Sequence, residues 1–204
     1  MRTLLLTVVA LIAFAANSVL ARLGLTTGEI GPWTFSIVRV LSGAIVLTFL
    51  VSRRNGLMQS TRCGSWDGSI ALLVYAAFFS YAYLSLPAGT GALILFAMVQ
   101  VTMVGAGLFL GERLSPLQWL GSALAMGGLV YLLTPSIEPP EPIGAMAMGL
   151  AGIGWGVHSL LGRKDLAEQT PTEKTAGNFV RAALIVVLLS EICSDRHVVQ
   201  LYRS

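Results

Sequence analysis

Apolar residues in this chain come in long unbroken runs, with polar residues gathered between them. Neither the alternation of a half-buried strand nor the one-sided stripe of an amphipathic helix is present. The runs are Thr3 to Leu20, Pro32 to Val51, Ser69 to Leu86, Gly91 to Leu110, Pro116 to Leu133, Ile143 to Leu161, and a shorter one from Thr175 to Leu189. A helix rising 1.5 Å per residue needs about twenty apolar residues to cross roughly 30 Å of hydrocarbon. The first six runs therefore predict transmembrane helices. The seventh, with about fifteen residues or roughly 22 Å of helix, predicts a short and unfinished one, and a polar tail of residues 190–204 follows it. The first run resembles a secretory signal in its Arg2 and small-residue end, but it is longer than the apolar core of such a signal and is read as a span. All eight prolines fall at helix starts or in loops, so none interrupts a span.

The fourth and fifth runs meet in the turn Gly111-Glu112-Arg113-Leu114-Ser115-Pro116. Gly111 stands where a helix stops, Ser115 where one is capped, and Pro116 at a first helical position, where its missing N–H costs nothing. Glu112 and Arg113 are costly in lipid and hold the turn at a water interface. The pattern predicts a membrane hairpin.

Short-loop charge sets the orientation. Arg53, Arg54 and Arg62 lie between runs two and three, Arg113 between four and five, and Arg163, Lys164 and Lys174 between six and seven, whereas the alternate loops hold only Arg22. The N-terminus is expected in the cytoplasm, in a multi-pass protein of the cell membrane, the inner membrane of a bacterium. The proline-rich, acidic stretch 135–142, with Glu138 and Glu141, reads as an extracytoplasmic linker between residues 1–134 and residues 143–189.

Composition agrees, with 55% apolar and 11% charged residues and a mean hydropathy of +0.77. These values exclude an ordinary soluble domain. The net charge of +3 comes from lysines and arginines scattered singly between apolar runs, with no basic face for nucleic acid. Cys63 and Cys193 are far apart and lack metal-ligand spacing, so no metal site is predicted. No phosphate-binding glycine loop, His-Glu metal pair or nucleophile elbow occurs, so no catalytic residue or cofactor is assigned and an enzyme is not expected.

The chain also repeats itself. Phe14-Ala-Ala-Asn17-Ser18-Val-Leu-Ala-Arg22 aligns with Trp155-Gly-Val-His158-Ser159-Leu-Leu-Gly-Arg163, and one residue out of that register Ile37-Val38-Arg39 meets Phe179-Val180-Arg181. Five spans separate the copies, so the second enters the membrane from the opposite side. This is the inverted repeat of many secondary transporters.

Polar groups at membrane depth are the candidate solute-binding or cavity residues. Arg39 lies about seven residues, roughly 10 Å, inside the second span and either faces the interior, fixing an anion or a polar network, or snorkels outward. The mirrored depth of Arg181 favours the interior. Asn17 is placed to hydrogen-bond Arg39, and His158 to pair with Arg181 in a mirrored arrangement; His158 reads equally as a partly solvated end residue or as a ligand or proton carrier. Gln100, near the middle of the fourth span, needs a partner for its amide. Tyr75, Tyr81, Tyr83 and Trp155 either line a cavity or pack. The small residues at spacing four, Gly107 and Gly111, Gly121 and Ala125, Gly152 and Gly156, read as close helix packing. No carboxylate lies in the core of the first six spans, so the buried acid of a proton-coupled exporter of cations is absent.

Leu110-Gly111-Glu112-Arg113-Leu114, then Gln118-Trp119-Leu120-Gly121 and the Gly127-Gly128 pair, resemble the EamA-type transporters of the drug/metabolite transporter superfamily, and the likeness runs from about Ala10 to about Ala183. The resemblance implies an all-α polytopic bundle of ten helices in two inverted five-helix repeats, mostly exporting small metabolites or drugs. Here the second repeat is incomplete, with six clear helices and a short seventh, as in a truncated copy. The expectation is a carrier working by alternating access, whose partners are the lipid bilayer, a small-molecule substrate, and either a second copy or a complementing second half. Alone, this chain is expected not to transport. The alternative is a membrane scaffold that transports nothing.

Overall fold

Every apolar run folds as a helix, and the polar residues between the runs supply the caps. The computed structural model describes residues 2–55, 63–133, 140–163 and 169–201. Among them are seven helices and no strand: α1 (Arg2–Thr26), α2 (Pro32–Asn55), α3 (Trp66–Ala82), α4 (Ala88–Phe109), α5 (Pro116–Leu133), α6 (Pro142–Gly162) and α7 (Pro171–Leu201). The segments Thr3–Thr26, Pro32–Arg53, Ala88–Phe109 and Pro142–Gly162 are long and apolar enough to cross a membrane. The chain is an all-α membrane bundle. Arg62, Glu138 and Lys164, which entered the reading of orientation and linker, lie outside the described residues.

Local chemistry explains the boundaries. Gly111 adopts φ 83°, while its N–H bonds Leu108 O at 3.0 Å and the N–H of Glu112 bonds Gly107 O at 2.9 Å. Those two bonds close the end of α4 in a Schellman motif. Four residues on, Gln118 N donates to Ser115 Oγ at 3.3 Å and Ser115 N to Gln118 Oε1 at 2.8 Å, a reciprocal capping box that starts α5. Pro116 takes the first position of that helix, and Arg113 is exposed in the turn. Helix α6 is capped by Glu141, whose carboxylate accepts the N–H groups of Ile143 and Gly144 and the Ser85 hydroxyl, the last at 3.2 Å. The N-terminus of α6 is thus tied to the turn after α3.

The seventh helix corrects the expectation of a short element ending at Leu189, because α7 runs for 31 residues, from Pro171 to Leu201. It starts earlier through a second capping box, in which Thr170 N donates to Glu173 Oε2 at 2.7 Å and Glu173 N to Thr170 Oγ1 at 3.3 Å. It continues later because residues 190–201 contain neither Gly nor Pro; polar side chains end a hydrophobic run without ending a helix.

Helix α3 lies at the centre, against α6, α2 and α7. Leu72 and Phe79 of α3 and Tyr83 just beyond its end are almost wholly enclosed, as is Met148 of α6. Glycines set how near α6 comes. A Cβ on Gly154 would fall 2.9 Å from both Ala71 O and Tyr75 N of α3, and one on Gly152 would fall 2.7 Å from Leu95 O of α4. Gly156 meets Thr102 in the same way. The packing reading therefore holds for Gly152 and Gly156, whereas a Cβ on Gly121 would have open space around it.

Helix α2 packs mainly on α7, so the helices that carry Arg39 and Arg181 lie side by side. Helix α1 leans on α4 and α2, and α5 has its main contact with α4. The outer faces of these two helices expose Leu4, Leu5, Leu11, Ile12, Leu120 and Leu124. In a membrane that surface faces hydrocarbon, which is as apolar as leucine.

Candidate functional site

The site grows from Arg39. Helix α2 opens at Pro32, and Ser36, one turn in, is held by bonds to Pro32 O at 2.8 Å and to Ser80 Oγ of α3 at 2.9 Å. This buried hydroxyl pair fixes the rotation of α2 against α3. Arg39, nearly one turn further along, consequently points at α3. Its Nη2 donates to Tyr75 OH at 2.9 Å and reaches Asn17 Oδ1 of α1 at 3.4 Å. Its guanidinium carbon lies 4.3 Å from the centre of the Phe79 ring and 5.3 Å from that of Tyr75, within the range of cation–π attraction. Arg39 Nη1 is the one buried side-chain nitrogen or oxygen without a hydrogen-bond partner among the described residues.

Beside this group is a cavity of about 390 Å³ whose wall includes Asn17, Arg39, Gly43, Leu72, Tyr75 and Phe179. Its polar residues are Asn17, Arg39, Ser42 and Tyr75, and the rest of the wall is apolar. On the other side of Tyr75 lies Trp155, with ring centres 4.8 Å apart. Trp155, Asn17 and Tyr75 share a second, much smaller hollow with Phe14 and Phe96. Four sequence candidates, Asn17, Arg39, Tyr75 and Trp155, are thus brought together around one aromatic residue.

The other three make contacts of their own, and of these only His158 borders the group, its ring centre 5.5 Å from that of Trp155. Gln100 donates to Ser122 Oγ at 3.2 Å, tying α4 to α5, so its amide has the partner that its depth demands. His158 is buried and its Nδ1 is 2.8 Å from Gly68 O at the start of α3. Arg181 donates to Cys63 O and to Gly177 O, the latter at 3.2 Å, and lies over Trp66. The mirrored pair of His158 and Arg181 is not formed. Both side chains instead hold backbone carbonyls of the chain entering α3, His158 that of Gly68 and Arg181 that of Cys63. Buried at that junction, the Cys63 thiol has its pKa pushed up, first by desolvation and then by the Glu173 carboxylate. The described residues contain no group of three His, Cys, Asp or Glu placed to hold a metal.

Residues 1–134 match the model of the EamA-like transporter family. The chain belongs to that family. It is also 48% identical over 188 residues to an uncharacterized protein of Pseudomonas aeruginosa, a match that covers 92% of this chain and 64% of the relative. This EamA-like chain thus spans about two thirds of the length of the curated relative it matches. Family membership makes it a multi-pass membrane protein of a transporter family, in contact with the lipid bilayer, and not of an enzyme family.

Two features of this EamA-like site escaped the sequence. Phe79 follows Tyr75 by four residues and Phe35 precedes Arg39 by four, so each shares a helix face with a candidate and could have been found by that spacing. Arg22, read only as a loop charge, donates to Tyr83 O at 2.7 Å and Leu84 O at 2.8 Å. It caps the C-terminal end of α3, where a cation is favoured. Nothing in the sequence marks that long-range bond.

Proposed function

We propose that this chain is the solute-binding portion of a membrane carrier that exports small metabolites or drugs by alternating access, and that the solute binds in the cavity beside Arg39. The observation that carries this reading is the cavity itself: a half-buried cation, an amide, a phenol and the Ser42 hydroxyl in a pocket otherwise lined by apolar side chains. Such sites suit small amphipathic solutes, with a few polar groups setting orientation and apolar walls supplying contact. Support also comes from the sequence repeat, which pairs α1 with α6 and α2 with α7, and from the packing of α2 on α7 at the cavity wall. In an inverted-repeat carrier the site lies where the repeats meet. Transport then needs a complete second repeat, supplied by further chain or by a second polypeptide.

The test is a comparison in proteoliposomes of the 204-residue chain with a chimera in which residues 1–189 are joined to the part of the Pseudomonas relative that the match leaves uncovered. The chimera is expected to show saturable efflux from a panel of labelled amino acids, nucleosides and small organic acids. Arg39→Ala should lower its rate at least tenfold, and Arg53→Ala, in a membrane-edge arginine that lies over Phe49, less than twofold. The chain alone should be silent. Absence of efflux from a folded chimera, or equal small effects of the two substitutions, would sink the reading.

A further inference from the structure

The donors around Arg39 name a chemical class of ligand. Its Nη2 is used by Tyr75 OH and Asn17 Oδ1, while Nη1 is buried without a partner. The Tyr75 oxygen accepts from Arg39, which leaves its proton free to donate, and the Asn17 amide nitrogen still carries two N–H groups. Arg39, Tyr75 and Asn17 all line the cavity, and what they have left to offer is donors. No described carboxylate pairs with Arg39, whose contacts are an amide, a phenol and three aromatic rings. A guanidinium held at membrane depth without a counter-anion is costly, and a ligand that brings one negative charge and acceptor oxygens removes that cost.

We infer that the cavity takes a small monocarboxylate with an apolar body, its carboxylate on the Arg39 guanidinium, Tyr75 OH and the Asn17 amide, and its hydrocarbon between Leu72, Val46 and Phe179. One cation with three donors suits a singly charged, planar carboxylate, since the guanidinium fork matches that geometry. A phosphate, with two charges and three terminal oxygens, would be left short of both charge and donors. At roughly 30 Å³ for each water-sized group, 390 Å³ holds about a dozen heavy atoms. Arg39 in the wall repels a cation. This inference rests on the proposed function in taking this cavity as the place of the solute.

The test is binding, which requires no transport. Purified full chain in detergent micelles is titrated calorimetrically with 3-phenylpropionate, 3-phenylpropanol and 3-phenylpropylamine, three probes of one shape that differ in charge. The carboxylate is expected to bind saturably and at least tenfold more tightly than the alcohol, and the amine weakest. Tyr75→Phe should weaken the carboxylate several-fold and leave the alcohol unchanged. Arg39→Gln, with folding checked by circular dichroism, should bring carboxylate and alcohol within twofold of each other. Equal binding of carboxylate and alcohol to the wild-type chain, no saturable binding of any probe, or a preference that survives in folded Arg39→Gln would overturn the inference. Efflux by the chimera without carboxylate preference leaves the carrier and removes the substrate class; carboxylate preference without efflux does the reverse.

Discussion

Arg39 and Arg181 occupy matched positions in the two sequence copies and end in different surroundings. Arg39 meets the middle of α3 and its aromatic residues, whereas Arg181 meets the backbone ahead of α3. A matched position thus transmits depth and side-chain type, and the neighbouring helix decides what the charge does. The same scale shows how closely the two copies approach. A Cβ on Gly43 of α2 would fall 2.4 Å from the Phe179 ring of α7, nearer than the ring can tolerate without moving. Gly43→Ala is expected to lower the stability of the detergent-solubilised chain by about 1–3 kcal/mol, as overpacking does. Combining it with Phe179→Leu should recover much of that loss. Thermal unfolding followed by circular dichroism reads both outcomes, and an unchanged midpoint for Gly43→Ala would show that α2 and α7 do not pack at this glycine. Asn17, Arg39, Tyr75 and Trp155 were legible as candidates because polar or amphipathic groups at membrane depth are costly and stand out. Of their grouping only the pair of Asn17 and Arg39 was foreseen; that Tyr75 and Trp155 join it was not, since they come from two further helices.

Among the elements, the helix ends were the most readable part of the chain. Gly111, Ser115 and Pro116 act over a few residues, and the turn between α4 and α5 forms with the expected roles. The capping box Thr170-Pro171-Thr172-Glu173 carries an equally local signal, but it lies ahead of the apolar run that begins at Thr175, where hydropathy does not reach. Glu141 gives an element-scale prediction. The N–H groups of Gly144 and Ile143 hold its carboxyl below the ordinary carboxylate range, so the cap favours the folded state when ionised. A carboxyl whose pKa is depressed on folding contributes fully above its unfolded value, and the contribution disappears as pH falls through the folded value. Lowering the pH from 7 to 3 should therefore depress the unfolding midpoint of the wild-type chain more than that of Glu141→Gln. At pH 7 the variant should be the less stable of the two. Parallel pH profiles would show that the carboxylate does not hold α6 to the turn after α3.

For the whole molecule, the prediction is orientation. We place the turn between α1 and α2 outside and the turn between α4 and α5 inside, because the arginines and lysines gather on one set of short loops. In a background with Cys63→Ser and Cys193→Ser, a cysteine replacing Thr27 should react with an impermeant maleimide in intact cells. One replacing Ser115, exposed in its turn, should react only after the cytoplasmic face is opened. The reverse pattern would invert the bundle. The same scale gives the outward-facing leucines of α1 and α5 their reason, since a surface that would aggregate in water is the ordinary boundary with lipid.

The sequence by itself determined the all-α membrane class, the starts of most helices and the hairpin turn. All of these follow from residues within a turn or two of one another, or from the cost of a charge in hydrocarbon. Tertiary structure alone decided that α3 sits at the centre, that Tyr75 takes the Arg39 hydrogen bond, that Gln100 is spent on Ser122, and that His158 and Arg181 hold backbone carbonyls rather than each other. A helix that is apolar all round carries no stripe to say which side faces which neighbour, so those contacts are settled by side chains from elements far apart in the chain.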